Sequence, residues 1–171
     1  MRVTVLGCGR WGSFHAWYAQ RVGHAVTLWG RSGSEHLAVL EKTRTNEFLT
    51  LPPEVHLTDD LAAALQTAEI VIISIHAQAL RAFLHDVCAQ GLMEELRTKR
   101  MILCMKGLEI GTGKRLTTVV KEELGADIQP VVWVGPGHVQ DFVRGIPNCM
   151  VLAGEERAVL HDLVEVLGSP L

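Results

Sequence analysis

The sequence predicts an α/β fold in which a mainly parallel sheet carries helices on both faces. Several short, nearly continuous apolar runs are typical of buried parallel strands. Segments of helical periodicity lie between these runs, and such alternation indicates a parallel sheet covered on both sides. With 171 residues, 48% of them hydrophobic, the chain can bury most of its unfolded surface in one core. We therefore expect one domain over residues 1–171.

The predicted elements follow in order along the chain. The strands are residues 2–6, 25–29, 70–75, 101–105, 131–134 and 149–152, with a helix-like stretch after the first. The later helices are residues 61–66, 79–88, 113–124 and 155–167. Thr58 or Asp59 is expected to cap the first of these, and Thr112 the third. Gly168 and Pro170 are expected to end the last one.

The turn after the first strand carries the strongest functional signal. Gly7-Cys8-Gly9-Arg10-Trp11-Gly12 is a G-x-G-x-x-G pattern between a strand and a helix, and a second strand follows at residues 25–29. In such a turn Gly7 permits the tight bend, Gly9 lets the backbone approach a pyrophosphate, and Gly12 lets helix and strand pack closely. The helix N-terminus offers free N–H groups to phosphates. This predicts a Rossmann-type, doubly wound sheet that binds a dinucleotide.

In doubly wound sheets the ligand lies beyond the carboxyl ends of the strands. The segments expected to meet there are residues 7–12, 30–34, 76–78, 106–109 and 135–141. Arg31 ends the second strand, where an acidic residue would bind the ribose of NAD, and an arginine suits the 2′-phosphate of NADP. Ser32 and Ser34 could add hydroxyl contacts. NADP(H) is therefore favoured with NAD(H) as the alternative, although Arg31 could also be a solvated surface residue.

Two further segments are candidates for contact with a substrate. Lys106 follows a strand and could hold an anion or polarise a carbonyl, or could simply extend from the sheet edge into water. Gly135-Pro136-Gly137 would expose backbone N–H groups to a ligand. His138, next in the chain, could donate a hydrogen bond or act as an acid, although a lone histidine is more often a surface residue.

Several other functions are disfavoured. Gly111-Thr112-Gly113-Lys114 resembles a nucleotide-binding P-loop, but Leu108 and Arg115 stand where that pattern needs Gly and Ser or Thr. The histidines show no metal-ligand spacing, so no metal is expected. There is no G-x-S-x-G motif of a serine hydrolase.

The net charge and the cysteines restrict the expected binding partners and cellular compartment. The net charge of −3 and the lack of a long basic run argue against nucleic acid, and the apolar runs are too short to cross a membrane. Four scattered cysteines indicate a reduced, cytosolic protein, so we expect a cytoplasmic location.

Taken together, the motifs resemble the N-terminal domain of NAD(P)-dependent glycerol-3-phosphate dehydrogenases. The resemblance rests on Gly7-x-Gly9-x-Trp11-Gly12, Leu28-Trp29-Gly30-Arg31, Asn46-Glu47-Phe48-Leu49 before Leu51-Pro52, Ala79-Leu80-Arg81, Lys106-Gly107-Leu108-Glu109 before Thr112-Gly113-Lys114-Arg115-Leu116, and Gly135-Pro136. It implies hydride transfer between a nicotinamide cofactor and C2 of sn-glycerol 3-phosphate, giving dihydroxyacetone phosphate. It would place the protein in glycerol-3-phosphate metabolism and phospholipid biosynthesis.

The resemblance also implies roles for particular residues. It implies that Trp11 and Arg31 contact the cofactor and that Val139 lies near the nicotinamide. Beside the glycines, Arg10 is also expected to bind the cofactor. Lys106 is implied to lie between cofactor and substrate, and Gly135 and Gly137 to line the substrate site, with His138 beside them.

The chain departs from the family pattern at several positions. The family usually has a polar Ser or Asn at the position of Gly137 and a proline at that of His76. It has small residues where this chain has Phe14 and His15, which are expected to repack the floor of the cleft.

The end of the chain affects catalysis. Family members continue into a helical domain that supplies a lysine as proton donor and acceptor, so no catalytic residue is expected among these 171 residues. We expect the chain to bind NADP(H) with little or no turnover and, with apolar surface left uncovered, to self-associate as a homo-oligomer. Two alternatives stay open: a related dehydrogenase with another small substrate, and a non-catalytic NADP-binding module.

Overall fold

The computed structural model describes residues 1–169, so Pro170, the expected helix stop, and Leu171 lie outside the described residues. Its strands are β1 (Arg2–Leu6), β2 (Ala25–Trp29), β3 (His56–Thr58), β4 (Ile70–Ile73), β5 (Arg100–Leu103), β6 (Val131–Val134) and β7 (Val151–Ala153). Its helices are α1 (Arg10–Arg21), α2 (Glu35–Thr43), α3 (Leu61–Gln66), α4 (Leu80–Ala89), α5 (Met93–Arg97), α6 (Leu116–Leu124), α7 (Val139–Val143) and α8 (Arg157–Leu167). A short 3₁₀ turn, Ala77–Ala79, precedes α4.

The strands form one sheet in the order β3-β2-β1-β4-β5-β6-β7. The chain starts in the middle of the sheet, winds outward to β3, and crosses back to β4, which is the doubly wound arrangement predicted. All neighbouring strands are parallel except β6 and β7, which are antiparallel. The register aligns Leu6 with Trp29 and with Ile73, and Ile73 with Leu103, so the carboxyl ends of these strands lie level.

Helices cover both faces of the sheet, as predicted. One apolar core lies between the sheet and α1, α2, α7 and α8, and includes Phe14, Leu40 and Phe142. The other core lies under α3, α4, α5 and α6, and includes Leu65, Leu84 and Val120. Every residue of β4 is buried, since this strand is central and covered on both sides.

Several predicted boundaries were wrong. The run 70–75 is a strand only to Ile73, the run 101–105 only to Leu103, and the last strand occupies Val151–Ala153 and runs antiparallel. Asp60, rather than Thr58 or Asp59, caps α3 by accepting a hydrogen bond from the backbone N–H of Ala63.

The helix expected over 113–124 begins only at Leu116. Thr112 does not cap it, because its hydroxyl donates to Glu109 (2.6 Å) and accepts from the Lys114 N–H (3.3 Å). The stretch before Leu116 forms a small hairpin, closed by an antiparallel bridge between Leu108 and Arg115.

Candidate functional site

The carboxyl edge of the sheet opens into a cleft of about 910 Å³. Residues from all five segments expected at this edge line it. Of the predicted site residues, those lining it are Gly7, Gly9, Arg10, Trp11, Arg31, Lys106 and Gly135. The other predicted residues, Gly12, Ser32, Gly137, His138 and Val139, are not among those that line it.

Each of the three glycines of the first turn occupies a different environment, and a side chain would have a different effect at each of them. Gly7 has φ +114°, and a Cβ there would stand 2.2 Å from the carbonyl oxygen of Ser74. At Gly12 a Cβ would stand 1.7 Å from the carbonyl oxygen of Gly7, so the start of α1 touches the turn itself. A Cβ on Gly9 would meet no protein atom within 4 Å. The space beside Gly9 is therefore open, as the approach of a ligand to the backbone requires.

Arg10 and Trp11 open α1 beside this turn. The Arg10 guanidinium carbon lies 3.8 Å from the centre of the Phe48 ring, which ties the loop after α2 to the start of α1. Trp11 is half-buried, and its ring packs edge-on against Phe14 at 5.6 Å. The helix has no side-chain cap at Gly9, so its first N–H groups remain available to an anion.

His15 lies one helical turn after Trp11, at the floor of the cleft. Its ring is fully buried and packs at a tilt of 41° against that of Trp133, with the ring centres 4.7 Å apart. Neither ring nitrogen has a hydrogen-bond partner within residues 1–169. Burial lowers the pKa of His15 from 6.5 to about 3, so the imidazole is neutral at physiological pH.

The end of β2 forms one end of the cleft. Arg31 is exposed there, and across residues 1–169 it makes no ion pair with a carboxylate. Ser34 caps α2 by accepting from the Leu37 N–H, and its Oγ lies 3.5 Å from Cys8 Sγ. Ser32 is exposed outside the cleft, whereas His36 lines it. His36 was not among the predicted site residues, because it lies beyond residues 30–34, the segment expected at this edge of the sheet.

The other end of the cleft contains Lys106 and the loop after β6. Lys106 donates a hydrogen bond from Nζ to the carbonyl oxygen of Gly135 (2.8 Å). A Cβ on Gly135 would stand 2.7 Å from the carbonyl oxygen of Cys149, so the segment before β7 presses on this loop. Met150 and Cys104 also line the cleft here, and their apolar character gave no sequence signal of a site.

The residues after Gly135 turn away from the cleft. Gly137 is buried, and a Cβ there would lie 2.4 Å from a ring carbon of Phe142. His138 precedes α7 with its side chain 75% exposed, and its Nδ1 lies 3.8 Å from a carboxylate oxygen of Asp141. Val139 belongs to the core.

Two absences concern other functions. Within residues 1–169 no group of three or more His, Cys, Asp and Glu side chains is placed to hold a metal ion. No helix in the same part of the chain is long and apolar enough to span a bilayer.

A doubly wound sheet with a tight glycine turn at a helix N-terminus, opening on a cleft at the carboxyl edge, defines a dinucleotide-binding domain of the Rossmann class. Residues 2–160 match the family model for the NAD-dependent glycerol-3-phosphate dehydrogenase N-terminus. The chain therefore belongs to this family, as the motifs predicted.

Individual relatives agree with this assignment. The glycerol-3-phosphate dehydrogenase of Bradyrhizobium diazoefficiens is 36% identical over 171 residues, which cover 98% of this chain and 50% of that protein. The glycerol-3-phosphate dehydrogenase of Thermoanaerobacter is 34% identical over 157 residues, which cover 90% of this chain and 45% of that protein. The crystal structure of glycerol-3-phosphate dehydrogenase from Coxiella burnetii has a TM-score of 0.85 at 25% identity and covers 98% of this chain and 51% of that one. The chain thus spans about half the length of the curated relatives it matches.

Proposed function

We propose that this chain is the cofactor-binding half of an oxidoreductase that transfers hydride between NADP(H) and C2 of sn-glycerol 3-phosphate, with NAD(H) as the alternative cofactor. The main support is the open space beside Gly9 at the uncapped start of α1, in a chain of this family. A side chain at Gly9 would enter the cleft at the point where a pyrophosphate must approach the backbone.

The described residues fit such a cofactor along the whole cleft. Gly7, Gly9 and the first turn of α1, with Arg10 and Trp11, would hold the pyrophosphate. Arg31, free of carboxylate partners in the described part of the chain, would bind a 2′-phosphate with a charge-assisted contact of about 1.5–3 kcal/mol. Such a contact corresponds to a preference of roughly ten- to a hundredfold for NADP(H) over NAD(H).

Lys106 and Gly135 would face the reacting end of the cofactor. The Lys106 ammonium could hold the anionic substrate or stabilise negative charge on a carbonyl oxygen. The bound nicotinamide supplies or accepts the hydride. The proton donor that the family resemblance implies is not among these residues, so the chain alone should bind cofactor with little or no turnover. A cytoplasmic location and a role in phospholipid biosynthesis belong to the same proposal.

Titration with NADPH and NADH, followed by tryptophan fluorescence, tests the proposal. Three of the four tryptophans, Trp11, Trp29 and Trp133, line the cleft and should be quenched by bound cofactor. We expect tighter binding of NADPH, and loss of this preference in Arg31→Ala. Arg157→Ala, at an exposed arginine of α8 outside the cleft, is the matched control and should bind as the unaltered chain does. No binding of either cofactor would contradict the proposal.

A second candidate is a related dehydrogenase with another small substrate, and Gly137 favours it. The family resemblance implies a polar side chain at this position, but here the Phe142 ring occupies the space that such a side chain needs, and Gly137 lies outside the lining of the cleft. Titration of the NADPH-bound chain with glycerol 3-phosphate, with other phosphate esters and with hydroxy acids, followed by tryptophan fluorescence, would separate the two candidates. Glycerol 3-phosphate bound far more weakly than another of these compounds would favour the second candidate.

A further inference from the structure

The hairpin that follows Lys106 is held from two sides. Residues 107–115 form this hairpin, which is closed by the bridge between Leu108 and Arg115 and by a hydrogen bond from the Glu109 N–H to the Lys114 carbonyl oxygen (2.9 Å). Gly107, directly after Lys106, has φ +109°, so the chain bends sharply there. The position of the Lys106 backbone therefore depends on what holds the hairpin.

Arg81, in the first turn of α4, holds the hairpin through Glu109. Its guanidinium donates from Nε and Nη2 to the two carboxylate oxygens of Glu109, at 2.7 and 2.9 Å. The pair is sheltered, with side chains 28% and 14% exposed. The same guanidinium also bonds Glu122 (2.9 Å) and Glu123 of α6, so the hairpin, α4 and α6 share one ion-pair cluster. This bidentate bond fixes the orientation of Glu109 as well as its distance.

Gln78 holds the other side of the hairpin. Its side-chain amide donates to the carbonyl oxygen of Leu108 (2.9 Å) and accepts from the N–H of Ile110 (2.8 Å). Gln78 lies in the 3₁₀ turn Ala77–Ala79, and its two neighbours in that turn, Ala77 and Ala79, line the cleft. The wall of the cleft and the hairpin are thus connected directly.

Lys106 needs such support because its side chain is long and exposed. Its Nζ is fixed on the carbonyl oxygen of Gly135, but a lysine side chain loses considerable rotamer entropy when it is held in one place. A backbone already held in position leaves fewer degrees of freedom to lose when a ligand binds.

We infer that Arg81, through its bond to Glu109, is a positioning residue that holds Lys106 at the cofactor cleft. This inference rests on the proposed function, since it takes Lys106 as a ligand contact. Arg81 itself does not line the cleft, so it acts only through the hairpin. A purely structural ion pair would stabilise the fold without affecting what Lys106 does.

A double-mutant cycle on the full chain separates these roles. The variants are Arg81→Lys, which keeps the charge but loses the bidentate fork, Lys106→Ala, and both together. NADPH affinity is measured by tryptophan quenching and stability by thermal unfolding. Arg97→Lys is the control, because Arg97 also pairs with a carboxylate, donating from Nη2 to both oxygens of Asp127 (2.9 and 3.1 Å), and lies outside the cleft.

We expect Arg81→Lys to weaken NADPH binding by about five- to tenfold and to have no further effect when Lys106 is already alanine. Arg97→Lys should leave the affinity unchanged. Glu109→Gln, which removes the carboxylate that accepts this fork, should weaken NADPH binding to a similar extent, so the test does not depend on how well Arg81→Lys folds.

The failures of the two proposals are distinguishable. An Arg81→Lys effect of the same size in both backgrounds, or no effect while Lys106→Ala weakens binding, would overturn the positioning role alone. Unchanged affinity in Lys106→Ala would overturn both that role and the ligand contact proposed for Lys106. A chain that binds no NADPH at all would overturn the proposed function.

Discussion

His15 offers the sharpest test of the energetics of this fold. The imidazole is fully buried, and neither of its nitrogens has a partner in the described part of the chain. Each unsatisfied buried polar group costs about 1–3 kcal/mol. Leucine has a similar volume and no polar atoms, so His15→Leu removes both penalties without leaving a large cavity. We expect this core substitution to raise the free energy of unfolding at pH 7 by about 2–6 kcal/mol, the sum of the two penalties.

The gain should depend on pH, with a sign fixed by the pKa of His15. Because this pKa falls from 6.5 to about 3 on folding, the unfolded chain binds a proton that the folded chain does not between these values. The contribution of His15 to the free energy of unfolding is therefore fully present above pH 6.5 and decreases as the pH falls toward 3. The loss from this group is about 2 kcal/mol at pH 5. The His15→Leu variant does not suffer this loss. Its excess stability over the unaltered chain should therefore be about 2 kcal/mol larger at pH 5 than at pH 7.

Urea unfolding followed by circular dichroism, at pH 7 and pH 5, measures both effects. The difference between the variant and the unaltered chain cancels the titration of groups common to both. His161→Leu, at a histidine 77% exposed on α8, is the control and should change stability by less than about 0.5 kcal/mol. A His15→Leu variant no more stable than the unaltered chain, or an advantage equal at both pH values, would refute the reasoning and indicate a buried water bonded to the ring.

Three glycine substitutions give further predictions. Gly12→Ala should destabilise the fold by about 3 kcal/mol or more, since its Cβ would overlap the Gly7 carbonyl oxygen, and thermal unfolding would show it. Gly9→Ala should leave the unfolding temperature unchanged but weaken NADPH binding by about tenfold or more in the fluorescence titration; unchanged affinity would mean that no ligand approaches this backbone. Gly137→Ser should cost about 1–3 kcal/mol, because the Phe142 ring must move, and a fully stable variant would contradict this packing.

The sequence predicted the parts of the fold that depend on local pattern. The central strands are apolar runs whose burial follows from their composition, and the glycine turn is set by backbone geometry within six residues. The short elements at the edges were missed. In α2, only Leu37 and Leu40 are buried, so its apolar pattern is weak, and β3 has three residues, none of them fully buried.

The remaining errors arise from contacts between distant parts of the chain. The direction of β7 is set by its pairing with β6, which no periodicity within the segment records. The hairpin before α6 delays the start of that helix because Arg81 and Gln78 hold it from other elements. Local propensity alone predicted a helix from Gly113, and the tertiary contacts overrode it.

The same distinction separates the glycine turn from the contact around Gly137. The geometry of the turn comes from Gly7, Gly9 and Gly12, which lie in one continuous segment and can be identified from sequence alone. Gly137 lies outside the lining of the cleft, and its surroundings are set by Phe142, whose ring in turn packs at 5.1 Å against Phe14 of α1. Gly137, Phe142 and Phe14 thus form one contact between distant parts of the chain, which no local pattern of the sequence records.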